Sequence, residues 1–255
     1  MCFLCGYKIF NGTIDEVTKK IISREDKIHV VSGNPEVLYN GLYNKLTYDN
    51  FTSEKSIIIP DGIGVVKSLR LKGYNIQKIA GIDLFIELMK RLDNKERVYF
   101  LGASNNVLNT FIKNIRKKYK NINIVGYHHG YIDIDNCNYI INDIKSKQPT
   151  AIFVAMGSPK QEIFISKNMD ELPCKIFMGV GGTFDVISEN TKRAPLWIIN
   201  INLEWLYRIF KEPKRVKRFG KNIRFIAICI KDTYKSNIKS IQLSKNIQSE
   251  NVEKF

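Results

Sequence analysis

The chain has no apolar run approaching the roughly 18 to 20 residues that a bilayer-spanning helix needs. Its first residues also lack the basic segment and apolar stretch of a secretory leader. These two absences lead to the expectation of a cytoplasmic protein. Its five cysteines, at 2, 5, 137, 174 and 229, are odd in number and scattered, which suits reduced thiols better than a disulfide framework. Cys2-x-x-Cys5 is half of a metal or redox motif with no second pair at ligand spacing. No Gly-x-x-x-x-Gly-Lys-Ser/Thr string occurs, which argues against a P-loop, and no Gly-x-Gly-x-x-Gly, which argues against a nicotinamide-dependent dehydrogenase. Neither glycine nor proline is in excess, at 16 and 7, so collagen-like and disordered classes are excluded.

What the chain has in excess is positive charge. Its 255 residues carry 40 Lys+Arg against 25 Asp+Glu, a net +15. From Thr191 to Phe255 there are 15 basic and 5 acidic side chains, so two-thirds of the excess lies in the last quarter. A localised basic segment points to an anionic partner: nucleic acid, membrane lipid or a phosphorylated substrate.

Periodicity divides the rest into alternating elements. Short β-branched runs at Lys27–Val31, Lys55–Pro60, Arg97–Gly102, Ile122–Gly126, Ala151–Ala155 and Lys175–Val180 read as buried strands, each ending in turn residues. Amphipathic segments at 14–22, 35–43, 81–92, 107–119, 135–147 and 160–168 read as helices. Strands alternating with helices predict a doubly wound, Rossmann-like α/β fold with a mostly parallel sheet. After Pro195 the texture changes. We expect an α/β catalytic core over 1–195 and a basic helical C-terminal appendage over 196–255, with a helix near 214–231 whose apolar face is Val216, Phe219, Ile223, Ile226 and Ile230. Trp197, Trp205 and Tyr207 are read either as interfacial anchors or as core residues.

Ligands of such sheets bind beyond the carboxyl ends of the strands. Gly157-Ser-Pro-Lys-Gln-Glu162 follows a strand and opens a helix, so it reads either as a phosphate cradle or as an ordinary turn. Gly179-Val-Gly-Gly182 is equally open between ligand approach and tight turn. Asp61, in Pro60-Asp-Gly-Ile-Gly64 at a strand tip, is placed to act as a general base or to cap the next turn. Asp185 is a second candidate carboxylate, whereas Asp83 reads as a cap or solvent-facing residue. His128 and His129 are adjacent and would point to opposite faces of a strand, and the acidic spacing suggests no metal-bridging pair, so no metal is expected.

Seven strings in order resemble one family. They are Ser32-Gly-Asn-Pro-Glu36, Asp61-Gly-Ile-Gly-Val-Val66, Lys78-Ile-Ala-Gly-Ile-Asp-Leu84, Gly157-Ser-Pro-Lys-Gln-Glu162, Gly179-Val-Gly-Gly-Thr-Phe-Asp185, Arg193-Ala-Pro195, and Glu204-Trp-Leu-Tyr-Arg208 followed by Glu212-Pro-Lys-Arg215. Together they resemble the WecG/TagA/CpsF glycosyltransferases. The resemblance implies an inverting, metal-independent transfer of a sugar, N-acetylmannosamine or a relative, from a UDP-sugar donor to a polyprenyl-diphosphate-linked GlcNAc acceptor. The product would feed teichoic acid or another surface polysaccharide. It further implies that Asp61 is the base, that Ser32, Asn34 and Gln161 line the pocket, and that Gly157 and Ser158 hold the nucleotide. Arg208, Arg215 and Arg218 match appendage arginines that meet diphosphate, for which a charged planar fork is suited. Lys78 stands where the family usually has Arg, keeping a charge without the fork, and Ser32 stands for a usual Thr. No cofactor is implied.

On this reading the basic appendage lies on an anionic membrane surface, placing the enzyme at the inner face of the cell membrane. Homo-oligomerisation is left open. The rival from another class is a nucleic-acid-binding protein, since a basic patch attracts any polyanion. No nucleic-acid motif appears and aromatic and basic residues are not interleaved, so nucleic acid is not expected as a partner. Another UDP-hexose transferase of the same family is the nearer alternative.

Overall fold

The computed structural model describes residues 1–211 and 219–234. Eight strands form one sheet: β1 (Cys2–Leu4), β2 (Tyr7–Ile9), β3 (Ile28–Ser32), β4 (Ser56–Ile59), β5 (Arg97–Gly102), β6 (Asn123–His128), β7 (Ala151–Ala155) and β8 (Ile176–Gly179). Their order across the sheet is β1-β2-β4-β3-β8-β7-β5-β6, with only the β1–β2 pair antiparallel. All six strands expected from the β-branched runs are present, so the doubly wound α/β class holds. The β1–β2 hairpin is an addition. Its two-residue turn places Cys5 and Gly6 at φ +52° and +84°, the left-handed pair that matches the twist of a tight hairpin.

Alternate strand residues face two helical layers, as the period of two requires. One face buries Val30, Ile57, Phe100, Phe153 and Met178 beneath α1 (Ile14–Ile22), α5 (Gly81–Arg91), α6 (Asn105–Lys118) and α9 (Thr183–Ile187). At its centre Phe111 stacks on Phe184 with centroids 4.0 Å apart, and Phe85 meets Phe153 edge-on at 5.0 Å. The other face carries two clusters. Val31 and Ile58 pack with α2 (Pro35–Leu42), α3 (Lys45–Thr52) and α4 (Ile63–Leu71), whereas Leu101, Ile152, Val154 and Phe177 pack with α7 (Asn138–Lys147) and α8 (Lys160–Asn168). At the seam between them, His29 of β3 is buried against Phe51 and joined through Nδ1 to Asn50 Oδ1 at 2.6 Å, with Nε2 unpartnered. Burial lowers its pKa to about 4.

The chain then runs through α10 (Leu196–Asn200) and α11 (Glu204–Lys211), and a further helix, α12, covers 219–234. The expected helix is therefore present from 219 onward, and 214–218 lie outside the described residues. Its inner face differs from the expected one. Phe225 and Cys229 are fully buried in the cluster with Val65, Val66 and Leu69, while Ile223 and Ile230 are exposed. Lys72 pairs with Asp232 at 2.6 Å, and the Cys5 N–H donates to the same carboxylate at 3.2 Å. Neither tryptophan is buried: Trp197 is largely exposed and Trp205 stacks on Phe219 at 5.2 Å.

Candidate active site

The tips of β3, β4, β7 and β8 border the crevice where the chain, having gone from β3 to β4 on one side, continues in β5 on the other. After β3, the Gly33 N–H donates to the Ile59 carbonyl at 2.9 Å, and a Cβ at Gly33 would lie 2.6 Å from that oxygen. Only glycine lets the two loops approach so closely. Asn34 then caps α2, its Oδ1 accepting from the Val37 N–H at 3.0 Å with Pro35 in the first turn.

After β4, Pro60 and Asp61 lead to Gly62 at φ +82°, where a Cβ would meet Pro35 and Asn34 at 3.2 and 3.4 Å. The first residue of α5, Gly81, closes the corner. A Cβ there would stand 2.4 Å from the Ser32 hydroxyl and 3.5 Å from Asp61 Oδ2. Ser32 and Asp61 thus converge on the N-terminus of α5, which has no side-chain cap and turns the positive end of its dipole toward the carboxylate.

A charged cluster adjoins this corner. Arg193 holds Asp83 through its two terminal guanidinium nitrogens, at 2.6 and 2.9 Å, and its Nε lies 3.9 Å from Glu204. Its pKa is raised first by the Asp83 hydrogen bonds and further by the charges of Glu204 and Asp61. Lys78 lies 3.8 Å from Glu204. Asp83 is thereby a partner of Arg193 rather than a cap. Local sequence alone assigns no role to Arg193 or Glu204, although both stand in the quoted strings.

The β7 and β8 tips form the second half. Gly157 at φ +76° and Gly181 at φ +51° have nothing within 4 Å of where a Cβ would stand. Both N–H groups donate to Gln161 Oε1, at 3.2 and 3.0 Å. Gln161 is buried, and its Nε2 donates to Glu162 Oε1 at 2.7 Å. Its carboxamide therefore ties two glycine turns together beneath an open space, and the Gly157 N–H is committed to it. The Ser158 hydroxyl accepts from Asn40 Nδ2 at 2.9 Å. Glu162 is buried with Oε2 unpartnered. Burial pushes its pKa up to about 7, opposed chiefly by the hydrogen bond from Gln161.

Asp61 and Gly157 follow strands separated by β3 and β8, three spacings or about 14 Å. The corner with a carboxylate and a hydroxyl and the paired glycine turns thus lie on the same edge of the sheet, at the two ends of a run of four strands. Arg208 falls on α11, and its side chain lies outside the described residues, as do Arg215 and Arg218. Asp185 is braced within its own turn, accepting from Asn190 Nδ2 at 3.2 Å. Contrary to the expectation from acidic spacing, the sequence contains an Asp-x-Asp pair, Asp133-Ile-Asp135. It forms a turn, with Asp133 accepting from the Asp135 N–H at 3.0 Å and Asp135 pairing with Lys167 at 2.5 Å. Among the described residues no group of three or more His, Cys, Asp or Glu is placed to hold a metal.

The sequence profile described as the glycosyl transferase WecG/TagA/CpsF family matches residues 2–239. Among curated proteins, the chain is similar to the N-acetylglucosaminyldiphosphoundecaprenol N-acetyl-beta-D-mannosaminyltransferases of several bacteria. It is 37% identical to that of Bacillus spizizenii over 204 residues, covering 79% of this chain and 78% of the relative. It is 37% identical to that of Bacillus subtilis strain 168 over 207 residues, covering 80% of each. With that of Staphylococcus aureus strain MW2 the identity is 36% over 195 residues, 76% of each chain.

Proposed function

Because the chain belongs to the WecG/TagA/CpsF glycosyltransferase family, we propose that it transfers N-acetylmannosamine from its UDP conjugate to the N-acetylglucosamine of a polyprenyl-diphosphate-linked acceptor. The observation that carries the chemical part is the convergence of Asp61 and Ser32 on the α5 N-terminus, with two open glycine turns farther along the same edge of the sheet.

In this reading the UDP moiety lies along the Gly157 and Gly181 turns and its sugar reaches the Asp61 corner. The acceptor hydroxyl gives its proton to the Asp61 carboxylate as its oxygen attacks the anomeric carbon. The bond from that carbon to the diphosphate oxygen breaks on the opposite side, so the configuration inverts and UDP departs with the bonding electrons. A positioned base of this kind is worth about 10²- to 10⁴-fold in rate. Ser32 and Asn34 border the sugar. Lys78 supplies positive charge near the corner, and Arg208, Arg215 and Arg218 bring forks for the diphosphate. Gln161 acts by holding the two glycine turns in register.

The division into a core over 1–195 and an appendage over 196–255 is retained as a functional one: the appendage meets the bilayer that holds the acceptor. Supporting this, no residue of α10 is buried, and Leu196, Trp197, Ile201 and Phe210 stand exposed beside a basic segment. Among the described residues no helix is long and apolar enough to cross a membrane, so contact would be from one face. The test is a panel of UDP-sugars offered with a synthetic lipid-diphosphate-GlcNAc acceptor, read by product mass. A product one N-acetylhexosamine heavier from UDP-N-acetylmannosamine supports the reading; the absence of product from every donor, with no UDP binding in calorimetry, overturns it.

A further inference from the structure

We propose that Asn40 is a positioning residue that joins α12 to the loop after β7, so that the seating of α12 sets the nucleotide end of the cleft. The inference rests on the reading that this loop meets the UDP moiety.

Three elements distant in sequence meet at one carboxamide. Lys221 Nζ on α12 donates to Asn40 Oδ1 at 2.9 Å, and Asn40 Nδ2 on α2 donates to the Ser158 hydroxyl at 2.9 Å. A carboxamide accepts on one atom and donates on the other, so it can serve an ammonium and a hydroxyl at once. A carboxylate would keep the lysine and lose the N–H donor, and leucine would lose both.

The same helix touches the opposite end of the cleft. A Cβ on Gly64, three residues beyond Asp61, would lie 3.3 Å from Ile226 Cδ1 and 3.0 Å from Pro35. α12 therefore leans on the helix that begins at the Asp61 loop and, through Asn40, on the loop of Ser158. It is also fixed at both of its own ends, by the stacking of Trp205 on Phe219 and by Asp232 with Lys72 and the Cys5 N–H. A helix so held can transmit its position to both ends. Asn40 is the polar part of that path, and Ser158 sits beside the buried Glu162, so a displaced Ser158 also changes the surroundings of that carboxyl.

The test compares the full-length chain with Asn40→Leu, Asn40→Asp, Lys221→Met, the Asn40→Leu/Lys221→Met double variant and Lys221→Arg, using UDP calorimetry and steady-state kinetics with UDP-N-acetylmannosamine and lipid-linked acceptor. Wild-type UDP binding is measured first; its absence refutes the underlying reading and this inference with it. Given that binding, we expect Asn40→Leu and Lys221→Met each to weaken UDP and raise the donor KM about five- to tenfold, the size of one or two lost hydrogen bonds, with kcat within about threefold. The double variant should be no worse than the weaker single, because both act through one path. Lys221→Arg should bind UDP as wild type does. Asn40→Asp, which keeps the lysine contact and hence the docking of α12, should weaken UDP less than Asn40→Leu while melting with wild type. UDP affinity unchanged in Asn40→Leu and Lys221→Met, or losses that add in the double variant, would overturn the inference.

Discussion

Two buried titratable groups give the fold a pH dependence that one pair of substitutions can take apart. Glu162 is lifted from 4.5 to about 7 by burial, so between those values the unfolded chain has released a proton that the folded chain keeps. Folding then takes up a proton, and stability falls as pH rises through the window. At 1.36 kcal/mol per unit the loss is about 3 kcal/mol once pH exceeds the folded value. His29 runs the other way. Its pKa drops from 6.5 to about 4, so in that window the unfolded chain holds a proton that the folded chain lacks. Stability is full above 6.5 and is lost as pH falls to 4, again by about 3 kcal/mol.

The windows overlap between 4.5 and 6.5, where the two slopes oppose each other and the wild-type protein should be nearly flat with respect to this pair. Glu162→Gln keeps an oxygen to accept from Gln161 and removes the ionisation. Its stability relative to wild type should therefore climb by about 3 kcal/mol from pH 4 to pH 8. His29→Gln should climb by a similar amount relative to wild type as pH drops from 7 to 4, whatever constant offset it carries from lost contact with Phe51. Urea unfolding followed by circular dichroism at half-unit steps measures both differences. A difference between Glu162→Gln and wild type that stays constant from pH 4 to 8 would refute the argument that burial raises the pKa of this carboxyl.

Further expectations concern the cleft and the appendage. Asp61→Asn should lower transfer by about 10²- to 10⁴-fold while leaving UDP affinity within a few-fold, since a proton acceptor is lost and no nucleotide contact; turnover near wild type would remove Asp61 from the base role. Phe225→Ala empties a fully buried site between α12 and α4 and should cost about 3 to 5 kcal/mol in urea unfolding. A loss below about 1 kcal/mol would mean that α12 is not seated there in solution. Binding to vesicles containing anionic lipid should exceed binding to neutral ones and weaken from low to high salt, as surface charge contacts are screened; equal sedimentation with both would argue against an electrostatic contribution to docking.

What could be read from the residues follows from how local each signal is. The six long-range strands announced themselves because Val, Ile and Phe runs end at turn residues, and the strand-tip rule then singled out Asp61 without any knowledge of strand order. The order itself depends on pairing across the chain. The hairpin strands, three residues each, are too short to show a period, and α3 hid because its polar sequence buries only Thr47 and Phe51. α12 failed differently. Ile223, Phe225, Ile226, Ile228, Cys229 and Ile230 surround nearly the whole helix, so periodicity offers more than one apolar stripe and cannot choose among them. The choice is made by polar anchors: Asp232 must reach Lys72 and Lys221 must reach Asn40, and the rotation that satisfies both turns Phe225 and Cys229 inward. The same reason separates Arg193 and Gln161 from Asp61. Arg193 finds Asp83 110 residues away, and Gln161 finds Gly181 20 residues away, so their roles are set by partners the local string does not contain. A strand-tip carboxylate is placed by topology alone, whereas a residue that holds loops together is placed by whichever backbone groups the fold leaves unpaired.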